Sequence, residues 1–215
     1  MSLSSQYVAD QIDVYAGAMP KLWDETIEEH RRSVREATLD TTAALVAQHG
    51  LRAVTMSEIA EKTGIGRATL YKYFPNVESI LAAWHRRQIS QHLALLNEVA
   101  ANAGTPEKRL EAVLTAYAHI QRERARHHHH QPHGPELAAL LHSDKQVAEA
   151  QRGLHNLVGD LVKDAAVAGA VRDDIDPSEL AGFCIHALDA AGHAPSDKAV
   201  TRLVALTLTG IRPQA

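Results

Sequence analysis

Aromatic residues make up only 4% of this 215-residue chain, and cysteine occurs once, at Cys184. A β-sandwich or barrel of this length would draw on far more Tyr, Phe, Val and Ile to cover its pleated faces. One thiol excludes an intrachain disulfide framework and fits a reducing cytosol. No apolar run approaches the ~20 residues of a membrane-spanning helix, and the N-terminus lacks the charged-then-apolar layout of a secretory signal. The expected location is therefore the cytoplasm, with no membrane partner. Excess positive charge is missing too: the formal net charge is −4, and residues 1–90 hold ten Lys/Arg against eleven Asp/Glu. A nucleic-acid partner must then be met by cations gathered on one face, because the chain as a whole is not basic. Catalytic signatures are also missing. There is no Gly-rich phosphate loop, no HExxH helix and no GxSxG elbow. Cys184, between Phe183 and Ile185, reads as a buried, inert thiol. Neither an enzymatic activity nor a cofactor is expected.

What is present is helix punctuation. Apolar residues make up 45% of the chain, and Ala and Leu dominate them, as suits packed helices. Residues 1–20 read as an irregular or weakly helical tail ending at Pro20, and 24–49 as a long helix stopped by Gly50. Thr55-Met56-Ser57-Glu58 is a capping box in which Thr accepts an orphan backbone N–H and Glu reaches back. It opens a short helix over 56–63 that ends at Gly64. A second short helix covers 67–73, and Pro75-Asn76 opens a long one toward 103. Thr105-Pro106 begins a helix to about 126, with Pro at its first position. Residues 127–135 read as a His-, Pro- and Gly-containing linker, followed by a short helix over 136–142. Ser143, Asp176 and Ser196 then open helices to about 168, 191 and 211. Nothing alternates with a two-residue period. The chain reads as all-α, with a tail over 1–23, a three-helix domain over 24–75 and a larger helical domain over 76–215.

Two short helices joined by a tight turn at 56–74 form a helix-turn-helix pattern. Ala60 is small where the helices approach, Gly64 suits a turn that needs positive φ, and Ile59, Ile65 and Leu70 are placed to lock the pair. Short Ala- and Gly-containing helix pairs also occur in helical proteins that never touch DNA, so this pattern alone leaves both readings open. The run TMSEIAEKTGIGRATLYKYFPNVESIL resembles the DNA-binding signature of the TetR/AcrR family, and the likeness covers about residues 30–85. This resemblance implies a recognition helix at 66–73, in which Gly66 starts the helix and Arg67 and Thr69 face base edges. It further implies that Thr55, Tyr71, Lys72 and Tyr73 hold phosphates, with Arg31, Arg32 and Arg35 as a basic strip. Two positions depart from the family pattern: Gly66, often Ser, and Val77, often Lys. The second removes a cation, which should flatten the salt dependence by about one phosphate equivalent.

The same resemblance implies a repressor that binds a palindromic operator in double-stranded DNA and is released by a small-molecule effector. It places Tyr117, Ile120, Leu140, Phe183 and His186 around the effector cavity. A single helix-turn-helix reads too few base pairs for genomic specificity, so a homodimer is expected. The last two helices are its expected seam, through Leu180, Ile185, Leu188, Leu203, Leu206 and Leu208. Fourteen histidines include His127, His128, His129, His130 and His133, which suggests a metal-responsive repressor as an alternative. Against it, consecutive histidines diverge, Pro132 interrupts the one i,i+4 pair, and a solvated loop would bind metal only loosely. A helical interaction module without operator binding is the third reading.

Overall fold

The computed structural model describes residues 4–129 and 145–213, with side chains described from residue 27 onward except at 127–129 and 146. The described residues are helical and contain no strand. In chain order the helices are α1 (Ser4–His49), α2 (Met56–Thr63), α3 (Arg67–Tyr73), α4 (Val77–Asn102), α5 (Pro106–His129), α6 (Lys145–Val167), α7 (Pro177–Asp189) and α8 (Asp197–Gly210). Short 3-10 turns lie at Leu51–Ala53 and Ala190–His193. None of these helices is long and apolar enough to cross a membrane.

Most boundaries follow from the caps. Thr55 accepts from the Glu58 N–H at 3.3 Å, which is the forward half of a capping box. Asn76 accepts from the Ser79 N–H at 2.9 Å, Asp176 from the Ser178 N–H at 2.8 Å, and Ser196 from the Ala199 N–H at 3.2 Å. Two elements differ from expectation. α1 is one helix from Ser4, so residues 4–20 are not an irregular tail: Pro20 withdraws a single amide from the ladder, and the bonds on either side maintain the helix. α5 runs through His129, so residues 127–129 do not belong to a linker. The Arg-, Glu- and Ala-containing stretch before them has good helix propensity, and the first breaker is Pro132. The helix expected over 136–142 lies outside the described residues.

The chain divides into two compact units. The first is Met1–Leu45 with Val54–Leu81, and the second is Val46–Ala53 with Ala82–Ala215. The division falls inside α4, between Leu81 and Ala82, and not between residues 75 and 76. In the first unit, Leu39, Ile59, Leu70 and Ile80 are fully buried. In the second, α5 packs against α6, α7 and α8. Leu110, Val113, Leu114, Val158, Val162, Leu188 and Val200 form the centre of its core. Cys184 belongs to this core, fully buried, and burial pushes its thiol up to about 11. An ion pair from Arg122, itself nearly inaccessible, to Asp197 ties α5 to the first residue of α8.

Candidate functional site

In the first unit the turn between α2 and α3 is set by Gly64, at φ +71°. Its N–H donates to the Glu61 carbonyl at 3.3 Å, and the Ile65 N–H reaches the Ala60 carbonyl at 3.1 Å. These two bonds are the Schellman closure, which needs a left-handed residue where Gly alone pays no steric penalty. Ala60, Ile59 and Leu70 are buried and Ile65 half-buried, as the pattern of small and apolar positions requires.

Leu70 is the one buried residue of α3. Arg67, Ala68, Thr69, Tyr71, Lys72 and Tyr73 are all exposed, the two tyrosines by 49% and 38%. A seven-residue helix held by a single leucine and offering two cations and three hydroxyls to solvent is a surface built for a polar partner. Gly66 caps α3 through its backbone alone. Thr55 is exposed, and because its oxygen acts as acceptor in the α2 cap, its hydroxyl proton is left to donate outward. In the basic strip, Arg31 pairs with Glu28 at 2.6 Å, Arg32 is exposed, and the Arg35 guanidinium stacks 5.6 Å from the centroid of Phe74. Phe74 is the C-cap of α3, so Arg35 steadies the end of that helix as well as contributing charge. Val77 is 8% exposed, which accounts for an apolar residue there: the side chain completes the core.

The second unit holds a cavity of about 550 Å³. It is lined by one helical stripe from each of four helices: His85, Ile89, His92 and Leu96 on α4; Tyr117, Gln121 and Arg124 on α5; Val147, Gln151 and Leu154 on α6; and Gly182, Ile185, His186 and Asp189 on α7. Steps of three and four place each set on one face. Tyr117, Ile120 and His186 line this cavity. Phe183 does not. It lies off the 182/185/186/189 stripe, is 49% exposed, and its ring rests on Gly210, where an added Cβ would come within 3.4 Å of it. Leu140 lies outside the described residues, as do His130 and His133 and the side chains of His127, His128 and His129.

A polar chain crosses the cavity wall. The Tyr117 hydroxyl donates to Asp189 Oδ1 at 2.7 Å, and the Gln121 amide donates to that hydroxyl at 3.0 Å and to the same carboxylate. Arg124 donates to Gln121 Oε1 at 3.1 Å, and His186 Nδ1 lies 3.6 Å from Asp189 Oδ2. Burial, helped by the hydrogen bond to Asp189, pushes the Tyr117 phenol well above its ordinary value. Burial first, and the charge of Arg124 second, lower the His92 imidazole. Sequence reading missed Gln121, Arg124 and Asp189. The signal for the first two was available: residues 117, 121 and 124 form a polar stripe on a helix that otherwise supplies core.

Known proteins resemble both portions of the chain. The tetR family of bacterial regulatory proteins matches residues 39–84, and the C-terminal domain of SbtR-like transcriptional regulators matches residues 111–213. The transcriptional repressor KstR of Mycolicibacterium smegmatis is 34% identical over 86 residues, 40% of this chain and 42% of that protein. The fatty acid metabolism regulator of Bacillus subtilis is 25% identical over 79 residues, 37% of this chain and 41% of that one. The chain thus spans about two fifths of the length of the curated relatives it matches. In fold the likeness is wider. A TetR/AcrR regulator from Thermobifida fusca superposes with a TM-score of 0.68 at 19% identity, covering 83% of this chain and 98% of the other. FadR of Bacillus subtilis, solved with stearoyl-CoA, gives 0.63 at 17%, covering 82% and 99%. With its helix-turn-helix unit and its C-terminal portion each matched by such regulators, the chain belongs to the TetR family of bacterial transcriptional regulators.

Proposed function

We propose that the protein is a homodimeric repressor that grips an inverted-repeat operator with α3 of each copy and releases it when a small molecule occupies the cavity of the second unit. The observation that carries this reading is the exposure of every α3 side chain except Leu70. Arg67 and Thr69, both exposed on α3, meet base edges, Arg67 suiting the bidentate contact to guanine. Thr55, Tyr71, Lys72 and Tyr73, with Arg31 and Arg32, hold phosphates and so set the register. KstR is a repressor and FadR was solved with stearoyl-CoA, which supports a repressor that answers to a small molecule.

The dimer forms through α7 and α8. Of the leucines expected at the seam, Leu180 and Leu188 fill the protomer's own core, while Leu206 is 68% exposed. Phe183, resting on Gly210 one helical turn from Leu206, supplies the other apolar contact. A ligand shifts the protein off DNA only through different affinity for the bound and released states. α4 is the segment that would pass this difference on, because Ile80 and Leu81 belong to the first unit while His85, Ile89 and His92 line the cavity. Selection of genomic fragments on the purified protein at about physiological salt tests the reading. Enrichment of one inverted repeat is the expected result; only non-specific background, from protein shown to be folded and dimeric, would refute it.

A further inference from the structure

We propose that the cavity of the second unit takes a singly charged carboxylate borne on an apolar tail, with Arg124 receiving the carboxylate; this rests on reading that cavity as the effector site. Arg124 and Asp189 are the only fully charged side chains among the described lining residues. They are not equally committed. Asp189 already accepts from the Tyr117 hydroxyl and the Gln121 amide, and His186 lies beside its second oxygen. Arg124 makes one hydrogen bond, to the neutral carbonyl of Gln121, and no described carboxylate pairs with it. A guanidinium has five donors in a planar fork that matches a carboxylate. The neutral donors leave Asp189 charged but occupy its oxygens, so Arg124 is the charged lining group with hydrogen-bonding capacity to spare.

Position separates the head group from the tail. Among the lining residues Arg124 is exposed, Leu93 and Leu154 are half-buried, and Leu96 and Tyr117 are buried. A cavity of about 550 Å³ lies within the range that small ligands occupy. The other head-group chemistries fit less well. A cation would find only Asp189, and would have to displace the donors it already holds. An uncharged polar head would leave the guanidinium unpaired. A dianionic phosphate would bring two charges to one arginine. Burial and Arg124 both make the His92 imidazole harder to protonate, which leaves it a weaker partner for an anion than the guanidinium.

Calorimetric titration of the full chain with decanoate, decan-1-ol, decylamine and decyl phosphate, each below its aggregation concentration, tests the assignment. Decanoate should bind about tenfold more tightly than decan-1-ol, with decylamine weakest. In Arg124→Gln the ratio of acid to alcohol should collapse to about one. Arg124→Lys, which keeps the charge but loses the fork, should give an intermediate ratio. Equal affinity for acid and alcohol, tightest binding of the amine or the phosphate, an undiminished ratio in Arg124→Gln, or no binding of any of the four would each overturn the proposal. Operator affinity measured with the same ligands separates this from the reading beneath it. Decanoate bound with the expected preference, yet without effect on operator affinity, removes the effector role and leaves the charge assignment standing. Release of the operator by all four ligands alike does the reverse.

Discussion

Arg67 and Lys72 lie five residues apart on the same exposed helix, yet their losses should have different signatures. Arg67→Ala should cost about 1–3 kcal/mol on the preferred operator and little on mismatched DNA, because a base contact is lost. Lys72→Ala should weaken binding to all sequences alike and reduce the slope of log affinity against log salt by about one. Fluorescence anisotropy with matched and scrambled duplexes over a salt series distinguishes the two. In the second unit, Tyr117→Phe removes a hydrogen bond to a carboxylate that is itself 44% exposed. The expected loss is about 1 kcal/mol in urea unfolding, at the lower end for a charged acceptor because solvent screens Asp189. His92 gives a pH dependence. Its imidazole is lowered in the folded chain, so the unfolded chain binds more protons below its ordinary value of 6.5. Stability should therefore hold above that pH, decline as pH falls from it toward the lowered folded value, and level off beyond. His92→Gln should flatten this decline in a pH series of thermal melts.

At the scale of the element, the turn between α2 and α3 depends on one backbone angle. An added Cβ at Gly64 meets nothing within 4 Å, so Gly64→Ala acts through φ alone. The expected cost is about 1 kcal/mol of stability in the first unit, with weaker operator binding, since α3 is oriented by that turn. Chemical denaturation followed alongside operator titration would detect both. The helices that could be read from the sequence were those whose ends carry their own chemistry. Thr55, Gly64, Asn76, Asp176 and Ser196 each make the cap bond that their residue type implies. Where the sequence misled, a breaker was weighed without its surroundings. Pro20 costs one hydrogen bond in a 46-residue helix, and a run of histidines has no stop signal before Pro132. The cavity was half legible. Tyr117, Ile120 and His186 fall on the right faces, but Phe183 is one residue, about 100° of helix, away from its stripe. The polar chain through Gln121, Arg124 and Asp189 depends on α5 and α7 lying side by side, and no local pattern encodes that.

For the whole molecule, the exposed pair Phe183 and Leu206 is where the proposed seam is tested. Leu206→Asp puts a charge into the proposed seam without touching the protomer core, since Leu206 is 68% exposed. Sedimentation should then show a monomer at micromolar concentration, and affinity for the inverted repeat should fall by at least about tenfold, because each copy reads only one half-site. Loss of operator binding in a variant that is still dimeric would count against this seam. Cys184, inaccessible and with its thiol pushed up to about 11, is the only cysteine in the chain. In the native protein it is therefore almost inert to thiol reagents, and the rate at which a maleimide marks it becomes a clock for opening of the second unit. A cysteine introduced on the surface would then be the sole site to take up a dye. Energy transfer between two differently dyed populations would time the exchange of subunits between dimers.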